Sequence, residues 1–199
     1  MKTKYTKTYR LWHWTMAIST LGLIVTVILR KTFLSWRTNS EIIQTKLLEN
    51  GIEVPHEVAK LTAKAIRSGM WEWHYILGLF LGISILIRIY MILTSQAKLP
   101  IIVFLQAPKE EKLQYGVYMI LCFLLMLMTL SGIFLYFYED FGFTKDSIDW
   151  VKELHESMMS GIIIFTILHF IGVLKHELTT KEPIVSKMIH GDHGKSKLS

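Results

Sequence analysis

Cysteine occurs once in the 199 residues, at Cys122, so the chain has no partner for a disulfide and no set of thiolates for a metal site. That cysteine lies inside an apolar run, where packing is its expected role. Charge is scarce too: 19% of the side chains are charged against 51% hydrophobic, and the charges gather in blocks instead of spreading as on a soluble domain. Internal repeats and low-complexity segments are lacking, which leaves one domain and no array. The net charge of +6 follows the blocks at the ends of apolar runs and gives no support to nucleic-acid binding.

What is present is long apolar sequence. Residues 11–29, 73–87, 113–138 and 157–174 carry no formal charge. About 20 apolar residues cross a bilayer as a helix, which predicts spans over residues 11–30, 72–94, 113–138 and 151–175. The second reaches full length only by passing Arg88, a position near the membrane edge that a snorkelling arginine tolerates. The expected fold is all-α: a four-helix membrane bundle over residues 1–178 with a cytoplasmic tail over 179–199. The basic leader MKTKYTKTYR raises the possibility of a cleaved signal peptide. The run after it is too long, no small-x-small site precedes Arg30 and Lys31, and three further spans follow, so that reading is rejected.

Lysine and arginine set the expected orientation. With the N terminus inside, thirteen of the 22 fall on the inner side and nine on the outer. The segment FYEDFGFTKDSIDWVKELHE agrees, setting Glu139, Asp140, Asp146, Asp149, Glu153 and Glu156 against two lysines on the outer side. Both termini are therefore expected in the cytoplasm. In the outer loop, residues 31–70, SEIIQTKLLEN and HEVAKLTAKAIRSG show helical spacing of apolar residues on either side of the breaker GIEVP. They read as two short amphipathic helices, a lid over the outer face or a dock for a partner protein. Residues 98–108 are expected along the inner interface, and GDHGKSKLS is expected to be disordered.

Of the eight histidines, His56, His176, His190 and His193 fall outside the spans and read as solvated. His13, His74, His155 and His169 lie at or within spans, where ionisable groups are costly and usually functional. For His13 in RLWHW and His74 in WEWHY, a place in the interfacial aromatic belt is the competing reading. For His169 in FTILHFIGVL it is a poor one. Alternating helix directions place His13 near the inner surface and His74 near the outer. His155 opens the fourth span at the outer side, and His169, fourteen residues on, lies roughly 21 Å deeper on nearly the same face. The four thus sort into His13 with His169 and His74 with His155.

Two imidazoles facing across a bundle core can ligate a metal macrocycle from both sides. Zinc would need three or four donors together, and neither depth supplies them. Gly78 and Gly82, on the side of the second span that bears His74, either bare the backbone for a porphyrin or serve close helix packing. Arg10 and Arg88 either pair with haem propionates or act as positive-inside anchors.

YRLWHW at the first span, WEWHYILG at the second, a third span without histidine, and HE followed by LH in the fourth together resemble the bacterial cytochrome b561 and nickel-hydrogenase b-type cytochrome family. SKMIHG in the tail does so too. The resemblance spans residues 9 to 178 and implies two haem b groups, one held by His13 and His169 near the inner surface and one by His74 and His155 near the outer. It also implies single-electron exchange with a membrane quinone and residence in the bacterial cytoplasmic membrane. The outer loop is longer than in compact members of that family, and the tail offers no feature for docking a hydrogenase or formate dehydrogenase subunit. The leading expectation is an electron carrier between the quinone pool and an outer-side redox protein. The alternatives are a superoxide:quinone oxidoreductase and a haem-free membrane scaffold.

Overall fold

A computed structural model describes residues 6–109, 111–180 and 183–191. Among these residues the regular structure is helical and no strand occurs. The helices are α1 (Lys7–Lys31), α2 (Trp36–Leu48), α3 (His56–Leu93), α4 (Pro100–Gln106), α5 (Lys112–Phe137), α6 (Asp149–Thr180) and α7 (Ile184–His190). Four helical segments are long and apolar enough to cross a membrane: α1, α3, α5 and the stretch Asp146–Thr180 that contains α6. Their large apolar side chains point outward. Leu79, Leu86, Ile120, Phe123, Ile164 and Leu168 are each more than half exposed, a surface suited to lipid and unsuited to water.

The chain divides into two compact units, residues 16–81 and residues 1–15 with 82–199. In the first, α2 turns back through a glycine. Gly51 sits at φ +76°, and Ile52 N–H donates to the Leu47 carbonyl at 2.9 Å, the bonding of a Schellman stop. GIEVP therefore ends the helix as its composition indicates. Ser40, Ala59 and Ala63 are fully buried. Gln44 ties α2 to the next segment by donating to the Val54 carbonyl and meeting His56 Nδ1, both at 3.1 Å.

The second amphipathic segment of the outer loop is not a separate helix. HEVAKLTAKAIRSG forms the first turns of α3, which runs unbroken into WEWHYILG. A single glycine, Gly69, costs a helix about 1 kcal/mol and does not stop it. No proline follows Pro55 until Pro100. At 1.5 Å per residue, α3 is about 57 Å long, well beyond the ~30 Å hydrocarbon layer.

In the other unit, α5 packs along α6 through buried Leu121, Leu125, Val151, Met158 and Ile162. Gly161 permits the approach, since a Cβ there would lie 3.2 Å from Leu124 Cδ1. The turn between the two helices closes at Gly142, φ +78°, with Phe143 N–H donating to the Tyr138 carbonyl at 2.9 Å. α4 lies against α5, its Phe104 ring over Gly116. The fourth span continues as helix to Thr180, past the expected edge at residue 175. Ile184–His190 is helical as well, so the expected tail holds ordered structure. The disorder expected for GDHGKSKLS falls, apart from Gly191, outside the described residues.

Candidate functional site

His13 stands in the second turn of α1 and His169 in the second half of α6. Their ring centroids are 6.3 Å apart with the planes inclined at 50°. An imidazole nitrogen binds a first-row metal at about 2 Å and lies about 1 Å from its ring centre, so two rings flanking one metal have centroids ~6 Å apart. Phe165, one turn before His169, stacks on its ring at 5.9 Å. The aromatic neighbours of His13 both hydrogen-bond to protein carbonyls. Trp12 is buried and donates to the Ser84 carbonyl at 2.8 Å, and Trp14 donates to the Met188 carbonyl at 3.1 Å.

Both predicted arginines gather here. The Arg88 guanidinium lies 5.0 Å over the Trp12 ring and donates to the Tyr118 hydroxyl at 3.3 Å. Arg10 donates to the Ile189 carbonyl at 2.9 Å. Four buried side-chain nitrogen or oxygen atoms have no hydrogen-bond partner among the described residues: Arg10 Nε, His13 Nδ1, Arg88 Nε and Thr129 Oγ1. Orphaned polar groups are rare in native interiors. Three of the four belong to residues singled out for the inner site, and the fourth, Thr129, is the neighbour that a Cβ on Gly82 would meet at 3.5 Å.

His74, in α3, sets its Nδ1 2.8 Å from the Thr26 hydroxyl of α1, with Trp71 edge-on at 5.6 Å. His155, in α6, sets its Nδ1 2.9 Å from the Ser131 hydroxyl of α5, and a Cβ on Gly132 would lie 3.2 Å from its Cε1. Gly78 and Gly82 differ. A Cβ on Gly82 would make an ordinary van der Waals contact with Thr129 at 3.5 Å, whereas one on Gly78 would meet nothing within 4 Å among the described residues. Close helix packing therefore requires a glycine at neither position. His56, His176 and His190 are exposed, and His193 lies outside the described residues.

Thr26, Ser131 and Gly132 were not picked out from the sequence. A lone hydroxyl in an apolar span normally bonds its own helix, so only the fold discloses which ones also meet histidine. The docking of α7 on Arg10 and Trp14 was likewise hidden. SKMIHG carries one formal charge, Lys187, and no pattern of charge or apolar residues that specifies a partner on α1.

The described residues bring no three His, Cys, Asp or Glu side chains together as a metal cage. What they hold is a pair of neighbouring imidazole rings, His13 and His169, in an all-α chain with four apolar helices: a multi-pass membrane protein. The prokaryotic cytochrome b561 family model matches residues 4–191, and the chain belongs to that family. Comparison with curated proteins and with solved structures gave no match. Membership makes it a membrane protein of b-type haem electron transfer. The inner residues fit that group, offering an imidazole pair at a spacing one iron can bridge and orphaned guanidinium donors for its carboxylates.

Proposed function

We propose that the chain is a two-haem cytochrome that passes single electrons across the bacterial cytoplasmic membrane between the quinone pool and a redox protein on the outer side, with both termini in the cytoplasm. His13 and His169 hold one haem iron near the inner surface, and His74 and His155 hold the other near the outer. When bound, haem supplies reversible one-electron chemistry, while the protein supplies position, burial and charge. Arg10 and Arg88 neutralise the inner propionates. Gly78 leaves room beside His74 for a macrocycle. The acidic cluster Glu139, Asp140, Asp146, Asp149, Glu153 and Glu156 favours oxidised iron at the outer centre.

The observation that carries this reading is the 6.3 Å separation of the His13 and His169 rings. A reduced-minus-oxidised spectrum with haem quantitation on the purified full chain tests it. Two haem b per chain are expected, and a chain without a b-type Soret and alpha band would leave only the scaffold reading. Quinol added to the oxidised protein should reduce it.

A second reading has one observation of its own. Arg37, Lys60 and Lys64 all bring their cationic groups within 6 Å of the Trp36 ring, at 5.2, 5.6 and 5.8 Å. A cationic patch steers a small anion such as superoxide. Stopped-flow mixing of superoxide with the oxidised protein decides it: haem reduction at rates that fall with ionic strength supports the oxidoreductase, and no reduction leaves the carrier.

A further inference from the structure

The hydroxyls of Thr26 and Ser131 have one proton each and two neighbours each. Thr26 Oγ1 lies 2.7 Å from the Leu23 carbonyl and 2.8 Å from His74 Nδ1. Ser131 Oγ lies 3.0 Å from the Met128 carbonyl and 2.9 Å from His155 Nδ1. A carbonyl only accepts, so in both cases the hydroxyl proton is committed to the helix's own backbone. What the hydroxyl offers the imidazole is a lone pair. Each contact is therefore an Nδ1–H donating to oxygen, which places the ring proton on Nδ1 and the lone pair of the neutral ring on Nε2.

Two separate elements arrive at the same device. Thr26 is on α1 and reaches a histidine of α3; Ser131 is on α5 and reaches a histidine of α6. Thr26 and Ser131 are themselves buried, so water does not compete for the contact. His13 is built differently, with its Nδ1 buried and without a partner among the described residues.

We propose that Thr26 and Ser131 are positioning residues that select the Nε2-donor tautomer of His74 and His155, fix both rings so that Nε2 is the nitrogen left to bind a metal, and would hold the outer centre at a lower midpoint potential than it would have without them. The inference rests on the proposed ligation of a haem by His74 and His155. An acceptor on Nδ1–H makes the opposite nitrogen a stronger electron donor, and stronger donation favours the oxidised metal. Removing such an outer partner costs a ligated metal about 10–100-fold in affinity.

The test uses the full chain and four variants. Thr26→Val keeps the shape and removes the acceptor, Ser131→Ala removes the other, and Thr26→Ser restores a hydroxyl. Expected are a 10–100-fold loss of haem affinity at the outer centre and a rise of its midpoint potential in Thr26→Val and Ser131→Ala, with both values near wild type in Thr26→Ser. The inner potential should stay fixed. A Thr26→Val variant with wild-type potential and affinity overturns the proposal, and so does a Thr26→Ser variant as impaired as Thr26→Val, which would make the effect one of packing. Nitrogen NMR of histidine-labelled wild-type chain, with His74→Ala for assignment, reads the tautomer without needing any variant of the hydroxyls to fold. A proton on Nδ1 of His74 is expected, and a proton on Nε2 overturns the proposal. Should the chain lack an outer haem, the ligation reading fails while the tautomer result still stands or falls by itself.

Discussion

The Trp12 indole N–H donates to the Ser84 carbonyl over 2.8 Å, and Arg88, one turn beyond Ser84, lays its guanidinium 5.0 Å over the same indole. One tryptophan thus fastens the start of α1 to the end of α3 and places His13, the next residue, at a fixed height. The two orphaned guanidinium nitrogens of Arg10 and Arg88 belong to residues of the same unit. Positioning precedes chemistry here: the site is held by bonds that do not involve the histidines.

His13→Ala and His169→Ala should each remove the same one of two haems. If His13 and His169 hold the same iron, as proposed, loss of either would leave that haem with one histidine and weaken its binding. Haem quantitation per chain is expected to fall from two to one in either variant and to fall no further when the two are combined. Additive loss in the double variant would place the two histidines at different irons.

Carboxylates near a haem favour the ferric, more positive state. Glu153 and Glu156 flank His155 in α6, so Glu153→Gln with Glu156→Gln should raise the midpoint potential of the outer centre and leave the inner one in place. The shift should shrink as salt is raised, because exposed charges are screened. A spectroelectrochemical titration at two ionic strengths reads both effects, and an unmoved potential removes the acidic cluster from the account.

Gly191 ends α7 with φ +88° and ψ 175°, a conformation open almost only to glycine. A Cβ there would also lie 3.0 Å from Arg10 Nη1. Gly191→Ala should therefore loosen the contacts of α7 with Arg10 and Trp14 at a cost of about 1–3 kcal/mol. Limited proteolysis is the measurement: cleavage within residues 184–190 should speed up in the variant while the spans stay intact.

The membrane spans were legible because exclusion of charge is a property of the sequence alone. Their helical ends were not, since lysine, glutamate and arginine are good helix formers outside the lipid. That is why α3 begins at His56 and α6 persists to Thr180. The GIEVP stop was readable because glycine at positive φ has a local cause. His13 and His169 could be paired from helix direction and rise, whereas Thr26 and Ser131 could not be tied to His74 and His155. Hydroxyl contacts depend on the rotation of each helix about its axis, which a tally of charge and spacing does not fix. The same holds for Gly132, whose closeness to His155 arises from the packing of α5 on α6.

Gly78 and Gly132 separate a site for a macrocycle from mere helix packing. Replacing glycine by alanine inside a helix is favourable by about 1 kcal/mol when the new methyl meets nothing. Gly78 has open space where its Cβ would be, so a chain with no ligand there should gain stability in Gly78→Ala. If a porphyrin is held beside His74, as proposed, the added methyl would compete with it for that space. The expected result is a thermally firmer chain that carries less haem at the outer centre. Gly132→Ala acts through the ring of His155, 3.2 Å from the added carbon, and should lower haem content without the gain in stability. Thermal unfolding paired with haem quantitation distinguishes them, and a Gly78→Ala variant with full haem content places the macrocycle away from that face of α3.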